Sequence, residues 1–286
     1  MINKQHDFLV CVDSDGCVFD AMEIKHKECF IPNTINEWNL QAVSKYVREA
    51  AEFVNLYSKW RGSNRFPALV KTLELLGERQ EARARGFVMP DLTALKKWIC
   101  EEENLGNPTL EKAIAASDDP ILKKTMQWSN AVNACIAKIV RGIPYFPGVP
   151  ECFDKLCAQA DAMIVSATPH EALLREWTEH DLVKYVQIIA GQEMGSKKYC
   201  IEQALLDGYA RDKVLMVGDA LGDLAAARAN NVLFYPIMPG QEDQSWHQLY
   251  NEAMDKLFDG QYQGDYENKL IATFEFLLPE QPTWLK

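Results

Sequence analysis

Residues 8–20 read FLVCVDSDGCVFD and join a short apolar run to a cluster of acids. The run Phe8–Val12 is continuously apolar, which is typical of a strand buried on both faces of a parallel sheet. Asp13 and Asp15 follow it directly. Because alternate residues of an extended chain point the same way, both carboxylates can share one direction at the strand's end. The segment therefore predicts a buried strand that carries two acids to one edge of a sheet.

Similar apolar runs return in the second half of the chain and alternate with helix-like stretches. The predicted strands are Ala162–Val165, Val186–Ala190, Val214–Val217 and Val232–Tyr235, and the predicted helices are Ala172–Glu179, Lys198–Leu206 and Leu221–Ala229. Strands that alternate with helices indicate right-handed crossovers and a parallel sheet. We therefore expect an α/β fold whose core is a Rossmann-like parallel sheet with helices on both faces.

The interval between the first two strands, residues 21–145, has a different character. Its helical patterns are Leu40–Trp60, Ala68–Gly77, Leu92–Glu103, Leu110–Ala116 and Pro120–Val140. Apolar residues recur there at spacings of three and four, which indicates helices with one buried face. A structureless connection of this length is implausible inside a compact domain. We expect an α-helical domain at 21–145, and a core built from 1–20 and 146–286 in which 237–286 form a C-terminal helical extension.

A second acidic pair, Asp219 and Asp223, follows the fourth predicted strand in the sequence GDALGD. In open α/β sheets ligands bind outside the carboxyl ends of the strands, so the two acidic pairs can converge on one site. Two like charges about 4 Å apart repel by roughly 4 kcal/mol at an effective dielectric near 20. Such a cluster indicates a bound cation or a raised carboxyl pKa. Mg²⁺ is the expected cofactor because it prefers oxygen ligands of this kind.

Composition limits the classes of partner. The 286 residues are 48% hydrophobic and carry a net charge of -11 without a basic stretch, which disfavours nucleic acid. No signal-length apolar segment opens the sequence, and no run approaches the eighteen residues typical of a membrane span. We expect a cytoplasmic protein with no membrane partner. The aromatic residues of the last fifty positions could pack on the core or form a dimer surface, so a monomer and a homodimer both stay open.

Four motifs, taken in order, point to a known family. The segment DSDGCVFD at 13–20 matches DxDGxxxD, and Ser166 ends the apolar strand in AMIVSAT. A lysine, Lys197 or Lys198, precedes the fourth strand, and GDALGD at 218–223 matches GDxxxD. In these motifs the chain resembles the haloacid dehalogenase-like hydrolase superfamily. The resemblance implies a phosphatase-type member whose α-helical cap domain is inserted between the first two motifs.

The resemblance also implies a role for each acid. Asp13 would attack phosphorus, and Asp15 would protonate the leaving alkoxide and then activate water. Asp13, the backbone carbonyl of Asp15 and Asp219 would hold Mg²⁺, with Asp223 orienting the metal's surroundings. The reaction implied is hydrolysis of a small phosphorylated metabolite. A phosphomutase with the same aspartyl chemistry is the alternative enzyme, and a non-catalytic binding protein of this fold is the alternative of another class.

The remaining candidates concern phosphate and substrate. The Ser166 hydroxyl and one lysine would bind phosphoryl oxygens, and the choice between Lys197 and Lys198 stays open. An alternative for residues 166–171 is a plain helix start, with Thr168 as cap and Pro169 in the first helical position, which is compatible with phosphate binding by Ser166.

In the inserted segment, WRGSNRF at 60–66 brings two arginines to a helix boundary. Arg61 or Arg65 could reach a charged group of the substrate. The alternative is a solvated loop.

Overall fold

The computed structural model describes residues 2–285 and divides them into two compact units. The core unit consists of residues 2–21 and 142–278. The helical unit consists of residues 22–141 and 279–285. The last residues of the chain, expected in the core's C-terminal extension, therefore lie with the helical unit. They do so because the Trp284 ring packs edge-on against Phe53, with ring centroids 5.7 Å apart.

α-Helices account for much of both units. Those of the helical unit are α1 (Met22–Ile24), α2 (Ile31–Glu37), α3 (Ser44–Leu56), α4 (Arg65–Glu78), α5 (Gln80–Ala84), α6 (Thr93–Glu101), α7 (Asn107–Ser117) and α8 (Pro120–Ile139). Those of the core unit are α9 (Val149–Cys157), α10 (His170–Glu179), α11 (Lys197–Leu205), α12 (Leu221–Asn230), α13 (Glu242–Gln248), α14 (Met254–Phe258) and α15 (Asp265–Leu277). Short π-helical segments lie at Lys25–Phe30 and Leu249–Ala253, and short 3-10 segments at Gln41–Val43, Val183–Tyr185, Gln192–Met194, Arg211–Lys213 and Thr283–Leu285.

The core unit contains the predicted parallel sheet, so the α/β fold class is confirmed. Its strands are β1 (Phe8–Val12), β2 (Ala160–Val165), β3 (Ile188–Ala190), β4 (Val214–Gly218) and β5 (Leu233–Pro236). Every pairing is parallel, and the strand order is β3-β2-β1-β4-β5. The strands are almost entirely buried, which explains why their sequences are continuously apolar instead of alternating.

The strand order places a switch point in the middle of the sheet. From β1 the chain moves outward to β2 and β3, and from β4 it moves outward in the opposite direction to β5. Val12 at the end of β1 pairs with Val217 near the end of β4. Ligands of open α/β sheets bind at the carboxyl ends of strands where the order reverses. One acidic pair follows β1 and the other follows β4, so the topology brings both pairs to this crevice.

The first helices of the helical unit begin earlier than the sequence patterns indicated. Helical structure starts at Met22, whereas the first predicted helix starts at Leu40. The missed part includes the π-helical segment Lys25–Phe30, whose wider turn departs from the 3.6-residue repeat that the patterns rely on. The predicted helix over residues 40–60 is also shorter than expected, because α3 ends at Leu56.

The helical unit has an apolar core of its own. Phe66 packs edge-on against Trp98 and Trp128, at centroid distances of 4.9 and 6.3 Å. The indole N–H of Trp128, which is fully buried, donates a hydrogen bond of 3.0 Å to the Thr34 hydroxyl. A buried indole of this kind needs a partner for its N–H, and Thr34 supplies it. Across residues 2–285 we find no helix whose length and apolar character would suffice to cross a membrane.

Candidate active site

Asp13 lies at the end of β1 and is buried. Its backbone N–H continues the ladder with β4 by donating a 3.0 Å hydrogen bond to the carbonyl of Val217. The carboxylate turns back toward its own chain, where Oδ1 accepts a 2.7 Å hydrogen bond from the N–H of Ser14. Backbone and side chain are therefore both held, and the carboxylate is oriented before any ligand arrives.

Side chains from two helices donate hydrogen bonds to the loop that follows Asp13. Trp177 in α10 donates its indole N–H to the Ser14 hydroxyl at 3.0 Å, and Trp246 in α13 donates to the carbonyl of Cys17 at 2.8 Å. Within the loop, the carbonyl of Ser14 accepts the N–H groups of Val18 and Phe19 at 2.8 and 3.0 Å. A buried loop can be stable only when such backbone groups are paired. The result is a rigid turn directly after the predicted nucleophile.

The second acidic pair is positioned by a glycine at the end of β4. A Cβ added at Gly218 would lie 2.4 Å from Cγ of Asp223, so only a residue without a side chain leaves room for this carboxyl. Asp223 Oδ2 accepts the N–H of Ala220 at 3.1 Å, which holds the acid at the start of α12. Asp13, Asp219 and Asp223 are all buried, and each offers a carboxylate oxygen within 4.8 Å of the others.

Lys197 lies between two of these acids, and this distinguishes it from Lys198. Its Nζ is 2.5 Å from both Asp13 Oδ2 and Asp223 Oδ1. Ser196 starts α11 by accepting the N–H of Tyr199, so Lys197 is the first residue of that helix. Lys198 is exposed. The structure therefore brings Lys197 into the acidic cluster.

Charge and burial shape the ionisation of this cluster. Burial acts against the charged form of Lys197, but the charges of Asp13 and Asp223 outweigh it and raise the pKa of the ammonium. Burial raises the pKa of Asp223 to about 7, and the charges of Asp13 and Asp219 act in the same direction. Lys197 thus contacts two of three buried carboxylates, and the three offer hard oxygen donors within reach of a common ion. This donor set fits a divalent cation such as Mg²⁺.

Ser166 lies at the carboxyl end of β2 and is also buried. Its N–H donates to the carbonyl of Ala190 at 3.0 Å, and its hydroxyl accepts the N–H of Thr168 at 3.3 Å. Thr168 Oγ1 in turn donates to Asp15 Oδ2 at 2.7 Å. The structure therefore connects the loop after β2 to the loop after β1 through Thr168.

The sequence analysis missed this use of Thr168. The alternative in which Thr168 caps a helix is wrong, because α10 begins at His170 with Pro169 in the capping position and without a side-chain cap. The threonine hydroxyl is instead engaged by Asp15. One signal was available: Thr168 follows Ser166 by two residues just beyond a strand, where polar side chains face the crevice.

The two arginines belong to the helical unit and are well anchored there. Arg61 is 5% exposed, and its guanidinium donates to the carbonyl of Leu56 at 3.1 Å, so a solvated loop is wrong for this residue. Arg65 donates to Ser129 at 3.1 Å and to Asn133 at 2.6 Å. Burial lowers the pKa of Arg65 to about 10. Contact of either arginine with a substrate stays a prediction.

Comparison with known families agrees with this arrangement. A family model described as haloacid dehalogenase-like hydrolase matches residues 97–237. The matched range contains the candidate residues that follow β2 and β4, together with Lys197. The chain belongs to the haloacid dehalogenase-like hydrolase superfamily. The first acidic pair of this hydrolase lies outside the matched range, and its assignment depends on the motif and the geometry described above.

Solved structures of low sequence identity resemble this hydrolase. A haloacid dehalogenase-like hydrolase from Bacteroides fragilis, titled as putative, has a TM-score of 0.51 and 13% identity, covering 83% of this chain and 92% of that chain. A phosphoglycolate phosphatase from Lactobacillus delbrueckii subsp. bulgaricus, also titled as putative, has a TM-score of 0.49 and 14% identity, covering 91% and 100%. A haloacid dehalogenase-like family hydrolase from Streptococcus pneumoniae has a TM-score of 0.46 and 17% identity, covering 93% and 98%. The first of these supports the fold. A search of curated protein sequences found no match.

Proposed function

We propose that this hydrolase is a Mg²⁺-dependent phosphomonoesterase that acts on a small phosphorylated metabolite through a phosphoaspartate intermediate. One observation carries the proposal. A buried carboxylate at the switch point of the sheet, Asp13, is oriented by a backbone N–H and lies 2.5 Å from a half-buried lysine, Lys197. This combination supplies a nucleophile together with a cation that can bind the group under attack.

In the first step, a carboxylate oxygen of Asp13 forms a bond to phosphorus while the bond from phosphorus to the ester oxygen breaks. The Ser14 N–H and the Lys197 ammonium hold the Asp13 carboxylate in place, and the carboxylate is the nucleophile. Asp15, in its protonated form, gives its proton to the departing alkoxide. The products of this step are the free alcohol and a phosphoryl group on Asp13.

In the second step, Asp15 accepts a proton from a water molecule whose oxygen attacks phosphorus. The bond between phosphorus and Asp13 breaks, inorganic phosphate leaves, and Asp15 is again protonated. Acid and base are the same residue at different stages, which is the usual requirement of a reaction that runs through a covalent intermediate. Both steps depend on where the Asp15 carboxyl points.

The phosphoryl oxygens need fixed donors because their charge is redistributed during transfer. The Ser166 hydroxyl and the Lys197 ammonium are the donors proposed for this task. Asp13, the carbonyl of Asp15 and Asp219 are the proposed ligands of Mg²⁺, with Asp223 in support. When bound, Mg²⁺ would neutralise charge on the transferring phosphoryl group.

Substrate choice is proposed to lie in the helical unit, as an inserted cap, with Arg61 and Arg65 as candidates for contact with a second charged group.

The test is a screen of the purified protein against phosphorylated metabolites, with Mg²⁺ and with a chelator, alongside Asp13→Asn. Phosphate release should need Mg²⁺ and should fall at least about a thousandfold in the variant, as expected when a nucleophile is removed. Asp259→Asn, a change at an exposed aspartate of the same unit, is the matched control and should remain active.

Three results would change the assignment. Phosphate release that survives Asp13→Asn would overturn the nucleophile. Interconversion of sugar phosphate isomers without net phosphate release would assign a phosphomutase. Inactivity on every compound, together with no Mg²⁺ binding by calorimetry, would indicate a non-catalytic binding protein.

A further inference from the structure

We propose that Thr168 is a positioning residue for Asp15 and fixes the orientation of its carboxyl group toward the substrate. The inference rests on the proposed function, in which Asp15 is the acid and the base. Its direct observation is the 2.7 Å hydrogen bond from Thr168 Oγ1 to Asp15 Oδ2. This contact holds the Asp15 carboxyl group in one orientation.

Thr168 itself is held at both of its backbone groups. Its N–H donates to the Ser166 hydroxyl at 3.3 Å, and its carbonyl accepts the N–H of Gln192 at 3.0 Å. The approach of these two loops depends on Gly191, since a Cβ there would lie 2.5 Å from the backbone nitrogen of His170. Threonine is also stiff about its first side-chain torsion because it is branched at Cβ. The hydroxyl is therefore fixed in space by the core unit.

A neutral hydroxyl suits a carboxyl group that must change its protonation state. Both the ionised carboxylate and the carbonyl oxygen of the protonated acid accept a hydrogen bond, so the Thr168 contact persists through both steps. A lysine at this position would favour the ionised form and hinder the acid step. Thr168 thus acts on the orientation of the Asp15 carboxyl group.

Orientation matters most when the leaving group is poor. An alkyl phosphate releases a strongly basic alkoxide, whereas an aryl phosphate releases a phenolate that needs little protonation. General acid catalysis contributes about 10²- to 10⁴-fold where the proton is needed. A misdirected Asp15 should therefore slow alkyl esters far more than aryl esters, which a general loss of structure would not do.

The experiment compares kcat/KM for an alkyl phosphate and p-nitrophenyl phosphate in the wild type and in Thr168→Val. This constant covers the chemistry only up to loss of the alcohol, so it isolates the acid step from hydrolysis of the intermediate. We expect a loss of about ten- to a hundredfold for the alkyl ester, as part of the general-acid contribution, and of about threefold or less for the aryl ester. Both esters are measured on one preparation, so the ratio does not depend on the folded fraction.

Two further variants sharpen the result. Thr168→Ser keeps the hydroxyl and should restore the alkyl-to-aryl ratio of the wild type to within about threefold. Thr178→Val removes a hydroxyl that donates only to the carbonyl of Leu174 within α10, and it should leave the ratio unchanged.

The failures of the two proposals are distinguishable. The alkyl phosphate is taken from the compounds that the wild type hydrolyses in the screen. If the wild type hydrolyses no compound of that screen and does not bind Mg²⁺, the proposed function fails and the role of Thr168 falls with it. If the wild type hydrolyses both and Thr168→Val lowers both equally, or lowers neither, the positioning role is overturned while the phosphatase assignment stands.

Discussion

At the residue scale, the electrostatic balance of the site depends on Lys197. Its ammonium is 2.5 Å from Asp13 and from Asp223, and a third buried acid, Asp219, lies in the same cluster. Removing one partner of a buried ion pair costs about 3–5 kcal/mol because a charge is left unpaired. The lysine therefore contributes to stability and to the proposed phosphate site together.

We predict that Lys197→Met lowers the free energy of unfolding by about 3 kcal/mol in the absence of Mg²⁺, and that it lowers phosphatase activity at least about a hundredfold. Added Mg²⁺ should recover part of the stability, because a cation that binds only the folded state stabilises it. Chemical denaturation with and without Mg²⁺ measures the first effect. Lys198→Met, at an exposed neighbour, is the control. Equal effects of the two variants would contradict the assignment of Lys197.

The sequence predicted the residues of the candidate site only where their position directly after a strand determines their place in the fold. Asp13 and Asp219 follow strands directly, so the end of an apolar run located them. The choice of Lys197 over Lys198 depended on where α11 begins, which propensity cannot locate to one residue. For Thr168 the sequence suggested only a helix cap, because threonine before proline is typical of a helix start. Its actual partner, Asp15, is distant in sequence, and no local pattern records that contact.

At the element scale, two helices control the loop that follows β1. The indole N–H of Trp177 reaches the Ser14 hydroxyl, and its ring packs edge-on against Phe19 and Phe153 at 5.7 Å. The ring packs in the core, and the N–H orients the Ser14 hydroxyl and the loop that contains it. These two contributions can be separated, because phenylalanine keeps most of the ring and removes the donor.

Trp177→Phe should lower the free energy of unfolding by about 1–3 kcal/mol, since the change removes a buried hydrogen bond and part of a packed ring. Activity should fall by about three- to tenfold through looser orientation of the loop. Steady-state kinetics and denaturation provide the two measurements. Trp98→Phe is the control, because the Trp98 indole N–H has no hydrogen-bond partner among residues 2–285. If activity falls equally in both variants, the hydrogen bond to Ser14 has no role in orienting the loop.

Elements were predictable where burial imposes a pattern. All five strands are confirmed, because strands buried on both faces leave continuous apolar runs in the sequence. Residues 22–37 were missed, since the π-helical segment Lys25–Phe30 interrupts the helical repeat there. Tertiary packing, which the sequence pattern does not report, stabilises such a segment.

At the scale of the whole molecule, the chain contributes to the helical unit twice. Residues 22–141 form its body, and residues 279–285 return to it after the core unit is complete. The returning segment covers a small apolar cluster of α3 and α4, which consists of Ala50, Phe53, Val54, Ala68 and Leu75. The Arg79 guanidinium lies 4.8 Å from the centre of the Trp284 ring. The periodicity of the sequence could not predict this return, because a segment of seven residues is too short to show a helical repeat.

Trp284→Ala should destabilise the helical unit by about 2 kcal/mol, because it uncovers Phe53 and removes the ring that packs on Arg79. Hydrogen exchange followed by mass spectrometry can localise the effect. Amides of α3 and α4 should exchange faster, while those of β1 and β4 should keep their wild-type rates. Phe276→Ala is the matched control, since that ring is 87% exposed and its loss should change neither set. Faster exchange in β1 and β4 alone would show that the C-terminal segment stabilises the core unit instead of the helical unit. That result would contradict the division of the chain described above.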